Sequence, residues 1–137
     1  MRRLLVRAWA FPATLLGLLF AVPALLGRGR ARRVDGVLEV SGGAAALLLA
    51  RVVPLPGGAS AMTLGHVVLG RDEEALERTR AHERVHVAQY EMFGPLFIPL
   101  YLLHSGVLLL SGKDPYAGNR FEREAEELSS RVASARL

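Results

Sequence analysis

The 137-residue chain has no cysteine, which excludes a disulfide framework, a thiol nucleophile and any zinc site built on thiolates. A metal held by this chain has to sit on His and carboxylate groups. Acid is missing from the first 33 residues, which carry seven Arg at positions 2, 3, 7, 28, 30, 32 and 33. The remainder holds ten basic groups against thirteen acidic ones, a body of about −3, so the pI of 10.3 belongs to the N-terminus. Nucleic-acid binders carry their basic surface on the folded part. No nucleic-acid partner is therefore expected. There is no internal repeat and no low-complexity tract, and the length allows a single domain with a little left for an anchor.

Twenty uncharged, mostly apolar residues run from Ala8 to Gly27, about 30 Å as a helix and enough to cross a bilayer core. Trp9 stands near one end, where an amphipathic ring prefers the membrane interface, and Arg28 to Arg33 read as a stop-transfer cluster. A signal peptide cut near Val22-Pro23-Ala24 fits less well, because the apolar run is longer than a usual h-region. Arg is balanced on the two flanks, so orientation is not set.

After Val34 the pattern changes. Asp35-Gly36 is a turn signal and residues 36 to 41 read as a strand. Ala44 to Val53 fits strand or helix, and Ala61 to Leu69 reads as a second strand. Asp72 to Phe93 is the best helix, with acids at its N-terminal end and Gly94-Pro95 as its stop. Phe93 to Gly112 is a second uncharged stretch, long enough to span a membrane. Asn119 then caps a last helix with Glu122 at the capping-box position, and Phe121, Ala125, Leu128 and Val132 form its apolar stripe.

His82-Glu83-Arg84-Val85-His86 carries the chemistry. Two His four apart on a helix project side by side and can bind one metal ion, while Glu83, about 100° around the axis, can reach a water on it. Neutral imidazole suits zinc, and three protein ligands leave the fourth position for water. The pattern with a later His would need Gly at 89 and His at 92, where Gln89 and Met92 stand, so it is not a metzincin. The third ligand is expected from a carboxylate on the C-terminal helix, where Glu122, Glu124, Glu126 and Glu127 compete. Glu124 lies nearest the apolar stripe, and Glu122 already has a structural task at the cap, so Glu124 is favoured with Glu122 next.

These residues resemble the gluzincin metallopeptidases, in which a second helix supplies a Glu, often in a Glu-Ala pair; here that pair is Glu124-Ala125. The stretch Thr63 to Leu69 followed by Ala81 to Tyr90 is similar to the minimal gluzincins, where a strand before the active-site helix serves as substrate edge. It is also similar to uncharacterised bacterial membrane proteins with an HE-x-x-H-x-x-Q-Y motif. The resemblance implies Zn2+ on His82, His86 and Glu124, with Glu83 as general base. Two departures stand out: Arg84-Val85 replaces a small or apolar pair, and 37 residues separate His86 from Glu124. If residues 93 to 112 crossed a membrane, helix and glutamate would lie on opposite sides, so a shared metal requires that segment to fold back or lie in the interface.

The expected fold is α+β: an N-terminal transmembrane helix, short antiparallel strands, the HExxH active-site helix, an apolar membrane-associated segment and a C-terminal amphipathic helix. Residues 1–33 form the membrane anchor and basic flank, and 34–137 a minimal metallopeptidase-like domain. The expected function is a membrane-associated zinc-dependent metallopeptidase acting on peptide or protein substrates, with Glu83 activating a zinc-bound water. The alternative is a non-catalytic membrane protein with a structural or relic metal site. A fourth protein ligand, such as His66, would favour that alternative by closing the coordination. Tyr90, Tyr101 and Tyr116 are candidates to donate to an oxyanion.

Overall fold

The computed structural model describes residues 1–53 and 55–137. Helix α1 (Arg2–Leu26) is followed by strands β1 (Arg30–Val34) and β2 (Val37–Ser41), helix α2 (Gly43–Arg51), and strands β3 (Ala61–Leu64) and β4 (Val67–Gly70). Helix α3 (Glu73–Phe93), a short 3-10 turn (Gly94–Leu96), α4 (Phe97–Leu110) and α5 (Arg120–Ala135) complete the chain. The α+β class is as expected. Two helical stretches, Arg2–Leu26 and the segment ending at Leu110, are long and apolar enough to cross a membrane by length and composition.

The sheet has the order β1-β2-β4-β3. Its two hairpins are antiparallel, but β2 and β4 pair in parallel, Leu38 opposite Val67 and Val40 opposite Leu69. The expectation of purely antiparallel strands is corrected here: α2 lies between the two hairpins and supplies the crossover that a parallel pair needs. Residues 61 to 69 are two strands rather than one, folded about Gly65-His66. Strand β1 was not expected at all, since its Arg-rich run lacks the apolar alternation that marks strands. It forms because Asp35 and Gly36 adopt φ of 51° and 80°, the left-handed pair that a two-residue hairpin turn requires.

Side chains alternate between the sheet's faces. Val40, Val67 and Leu69 pack with Ala21, Ala24, Ala45 and Leu49 of α1 and α2. Val37 and Val68 meet Leu76 and Val87 of α3 on the other face. The same face carries Glu39, 2% exposed, whose carboxylate accepts from Arg80 Nε and Nη2 and from Arg84 Nη2, each at 2.9 Å. A third cluster joins Ala10 and Ala13 of α1 to Tyr90, Phe97 and Phe121. Helix α1 thus contributes to two cores, and the boundary expected after residue 33 falls inside β1.

The segment 93–112 turns aside at Gly94, whose φ is 55° and where a Cβ would strike the ring of Trp9. Past α4 the chain folds back. Asn119 Nδ2 donates to the Tyr101 carbonyl (3.1 Å) and to Ser105 Oγ (2.8 Å), and Ser105 Oγ donates to the Pro115 carbonyl (2.8 Å). That return starts α5 beside α3.

Candidate metal centre

Helix α3 runs 21 residues without Gly or Pro, and the Asp72 side chain accepts from the Ala75 amide at its start. His82 and His86 are one turn apart on it. Helix α5, capped by Asn119 accepting from the Phe121 amide, lies antiparallel to α3: Phe121 reaches Gln89 while Glu126 reaches His82. Glu122, in the first turn of α5, is thereby carried to the histidine pair.

His82 Nε2 is 3.0 Å and His86 Nε2 3.3 Å from Glu122 Oε2, and the two ring nitrogens are 3.2 Å apart. Zinc bonds of about 2.0 to 2.1 Å in tetrahedral geometry separate their ligand atoms by about 3.3 Å. The three atoms therefore fit three corners of a zinc tetrahedron almost as they stand. Among the described residues, these three form the group able to hold a metal ion.

The partners of this group fix its orientation. Gln89 Nε2 donates to the Phe121 carbonyl (3.1 Å) and to Glu124 Oε2 (2.8 Å), so its Oε1 is left to face His86 Nδ1 at 2.8 Å. An amide oxygen can only accept, which keeps a proton on Nδ1 and turns Nε2 toward the centre, where it donates to Glu122 in this structure and would offer its lone pair to a metal ion. On the other side, the Tyr101 hydroxyl donates to Glu122 Oε1 (2.7 Å), leaving Oε2 for the histidines. Burial works against charge on Glu122 and His86 alike. For Glu122 the hydrogen bonds from both His rings and Tyr101 outweigh it and hold the carboxyl well below the usual range, and the Glu122 and Glu83 carboxylates raise His86 above its ordinary value. The centre favours positive charge, which a divalent cation supplies.

Glu83 is 6% exposed, and its Oε2 accepts from Thr63 Oγ1 at 2.6 Å. Thr63 belongs to β3, an outer strand of the sheet. A cleft of about 660 Å³ opens beside it, lined by Ala61, Arg78, His82, Glu83, Tyr116 and Glu126 among others. A second of about 770 Å³ adjoins His82 along α5.

The structure brings His82, His86 and Glu83 to one place, as expected, but the carboxylate beside the histidines is Glu122. Glu124, favoured as zinc ligand in the sequence, is corrected to a partner of Gln89. Glu122 is free to turn inward because the Asn119 backbone amide, from which a capping-box Glu would accept, donates instead to the Tyr116 carbonyl (3.0 Å). His66 does not join the group; its Nε2 meets Glu91 Oε1 at 2.8 Å and its amide donates to Thr14. Of the tyrosines, Tyr101 serves Glu122, Tyr90 donates to the Thr63 carbonyl (3.1 Å), and Tyr116 lines both clefts. Thr63 and Gln89 were missed. Gln89 was legible as the residue three after His86 on the same helix face, whereas the Thr63 contact depends on how β3 docks. Comparison with protein-family models, with curated proteins and with solved structures found no match.

Proposed function

We propose that the chain is a membrane-associated zinc metallopeptidase, with His82, His86 and Glu122 as metal ligands and Glu83 as general base. The observation that carries this reading is the convergence of two Nε2 atoms and one carboxylate oxygen at 3.0 to 3.3 Å, with Glu83 one residue away. Zinc held there would supply a Lewis acid for water and for a peptide carbonyl. The rest falls to the chain. Thr63 orients Glu83 so that its carboxylate can take a proton from water and hand it to the leaving amine. In this reading the outer strand β3 offers backbone to an extended peptide beside the cleft, and Tyr116, which lines it, donates to the developing oxyanion. Three protein ligands rather than four leave a position open, which supports hydrolysis over a closed structural site.

The test is zinc content and peptidase activity of the detergent-purified chain. The wild type and Glu83→Gln should hold about one zinc per chain, with activity lost only in Glu83→Gln. His86→Ala should lose both. A wild type that binds no zinc, or whose activity survives Glu83→Gln, defeats the reading.

A further inference from the structure

We infer that α1 and α4 dock side by side on one leaflet of a lipid bilayer as in-plane helices, and that α1 does not cross it. The inference rests on the membrane association proposed above and is independent of the zinc chemistry. Helix α1 is inverted in size. Its buried residues are Ala10, Ala13, Gly17, Ala21 and Ala24, while Phe11, Leu15, Leu19, Val22 and Leu26 are exposed. A helix covered by water places its large apolar residues inward, and an exposed patch of this size marks an interaction surface. Leu102, Leu103, Val107 and Leu110 extend the patch on α4; Trp9, 46% exposed, packs on Gly94 in the turn that leads into α4, and Ala10 and Ala13 cluster with Phe97 at its start.

Charge points to lipid as the occupant. Arg2, Arg3 and Arg7 stand at one end of α1 and Arg28 at the other, with no acid in the first 33 residues, a complement to anionic headgroups. Trp9 sits at the patch with a ring suited to the interface.

The in-plane arrangement follows from what lies beside α1. Strand β1 runs back along it: the Gly29 amide donates to the Ala24 carbonyl (2.7 Å) at one end, and the Arg7 guanidinium lies against Gly36 at the other. A bilayer core enclosing the length of α1 would therefore enclose β1 as well. The Arg30 and Arg32 side chains are 79% and 55% exposed, and β1 is an outer strand with an unpaired edge. Neither solvated guanidinium groups nor an open sheet edge is tolerated in hydrocarbon. Contact through the outer face alone leaves both in water. Helix α4 by itself is 14 residues, about 21 Å and short of a bilayer core, and the chain returns from it to Tyr101 and Ser105, so the segment ending at Leu110, though apolar and long enough, folds back on the protein. Because Tyr101 also holds Glu122, the lipid-facing helix is one hydrogen bond from the metal centre.

The absence of cysteine makes the test direct. The double variant Arg3→Cys/Ala31→Cys, with both positions exposed, one in the first turn of α1 and the other in β1 next to its last turn, is reconstituted with phosphatidylcholine–phosphatidylglycerol vesicles. It is then treated with a membrane-impermeant maleimide and weighed by mass spectrometry. In-plane docking gives chains with two labels or none; chains with one label before lysis overturn it while leaving membrane association intact. Trp9, the single tryptophan, should be quenched by bromolipids in the wild type. A chain that fails to co-sediment with the vesicles, or whose Trp9 is not quenched, overturns the docking and the membrane reading together.

Discussion

Glu122 and Glu124 stand within one turn of α5, yet one faces the histidine nitrogens and the other the amide that orients one of them. Their difference is measurable. Glu122→Gln should abolish zinc binding. Glu124→Gln and Gln89→Ala should keep the ligands and weaken zinc affinity about 10- to 100-fold, the usual effect of losing an outer-shell partner. Competition with a chromogenic chelator reads all three, and equal losses at 122 and 124 would contradict the assignment. The sequence made the histidine pair, Glu83 and the helix that brings a carboxylate to them legible, because a four-residue spacing has one meaning on a helix. It pointed to Glu124 rather than to Glu122, which the structure sets beside the histidines, because a Glu at the third helical position after Asn119 reads as a cap. In the structure the Asn119 amide donates to the Tyr116 carbonyl, and the packing of α5 on α3 turns Glu122 to the histidines instead.

Among the elements, the β2–α3 contact hinges on Glu39, a charge buried in an otherwise apolar layer. Burial opposes its ionisation, but the hydrogen bonds and charges of Arg80 and Arg84 hold its carboxyl below the ordinary 4.5. A carboxyl lowered in the folded state stabilises fully above its unfolded pKa and ceases to do so as pH falls through the folded value. Glu39→Gln should therefore cost about 3 kcal/mol at pH 7, and the gap from wild type should shrink below about pH 4 in urea titrations. The α1–sheet contact is equally sensitive, since a Cβ on Gly17 would come within 2.7 Å of Val67 Cβ and 2.9 Å of the Leu64 carbonyl. Gly17→Ala should lower stability by about 1 to 3 kcal/mol, seen as a lower urea midpoint. Helices α3 and α5 were legible to within a residue or so at their capped N-termini. Strand β1 and the β3–β4 turn were not, since arginines and a Gly-His pair carry no periodic signal and owe their structure to neighbours.

For the molecule as a whole, α1 is part of the core rather than an appendage. Removing residues 1–27 would uncover Val40, Val67 and Leu69 on one side and Tyr90 and Phe97 on the other. Such a truncated chain should be cut by protease far faster than the full one, in limited proteolysis at equal concentration. A truncated chain that resists as well as the full one would show α1 to be dispensable. The arrangement also joins distant stretches of chain. His86 and Glu122 are 36 residues apart, so an ion gripping both closes a loop of that length, a constraint worth about 3 kcal/mol of chain entropy in the unfolded state. Such an ion would act as a buckle as well as a reagent. Stripped by a chelator, the chain should loosen first where the strap ends, with the amides of α5 exchanging with deuterium before those of the sheet.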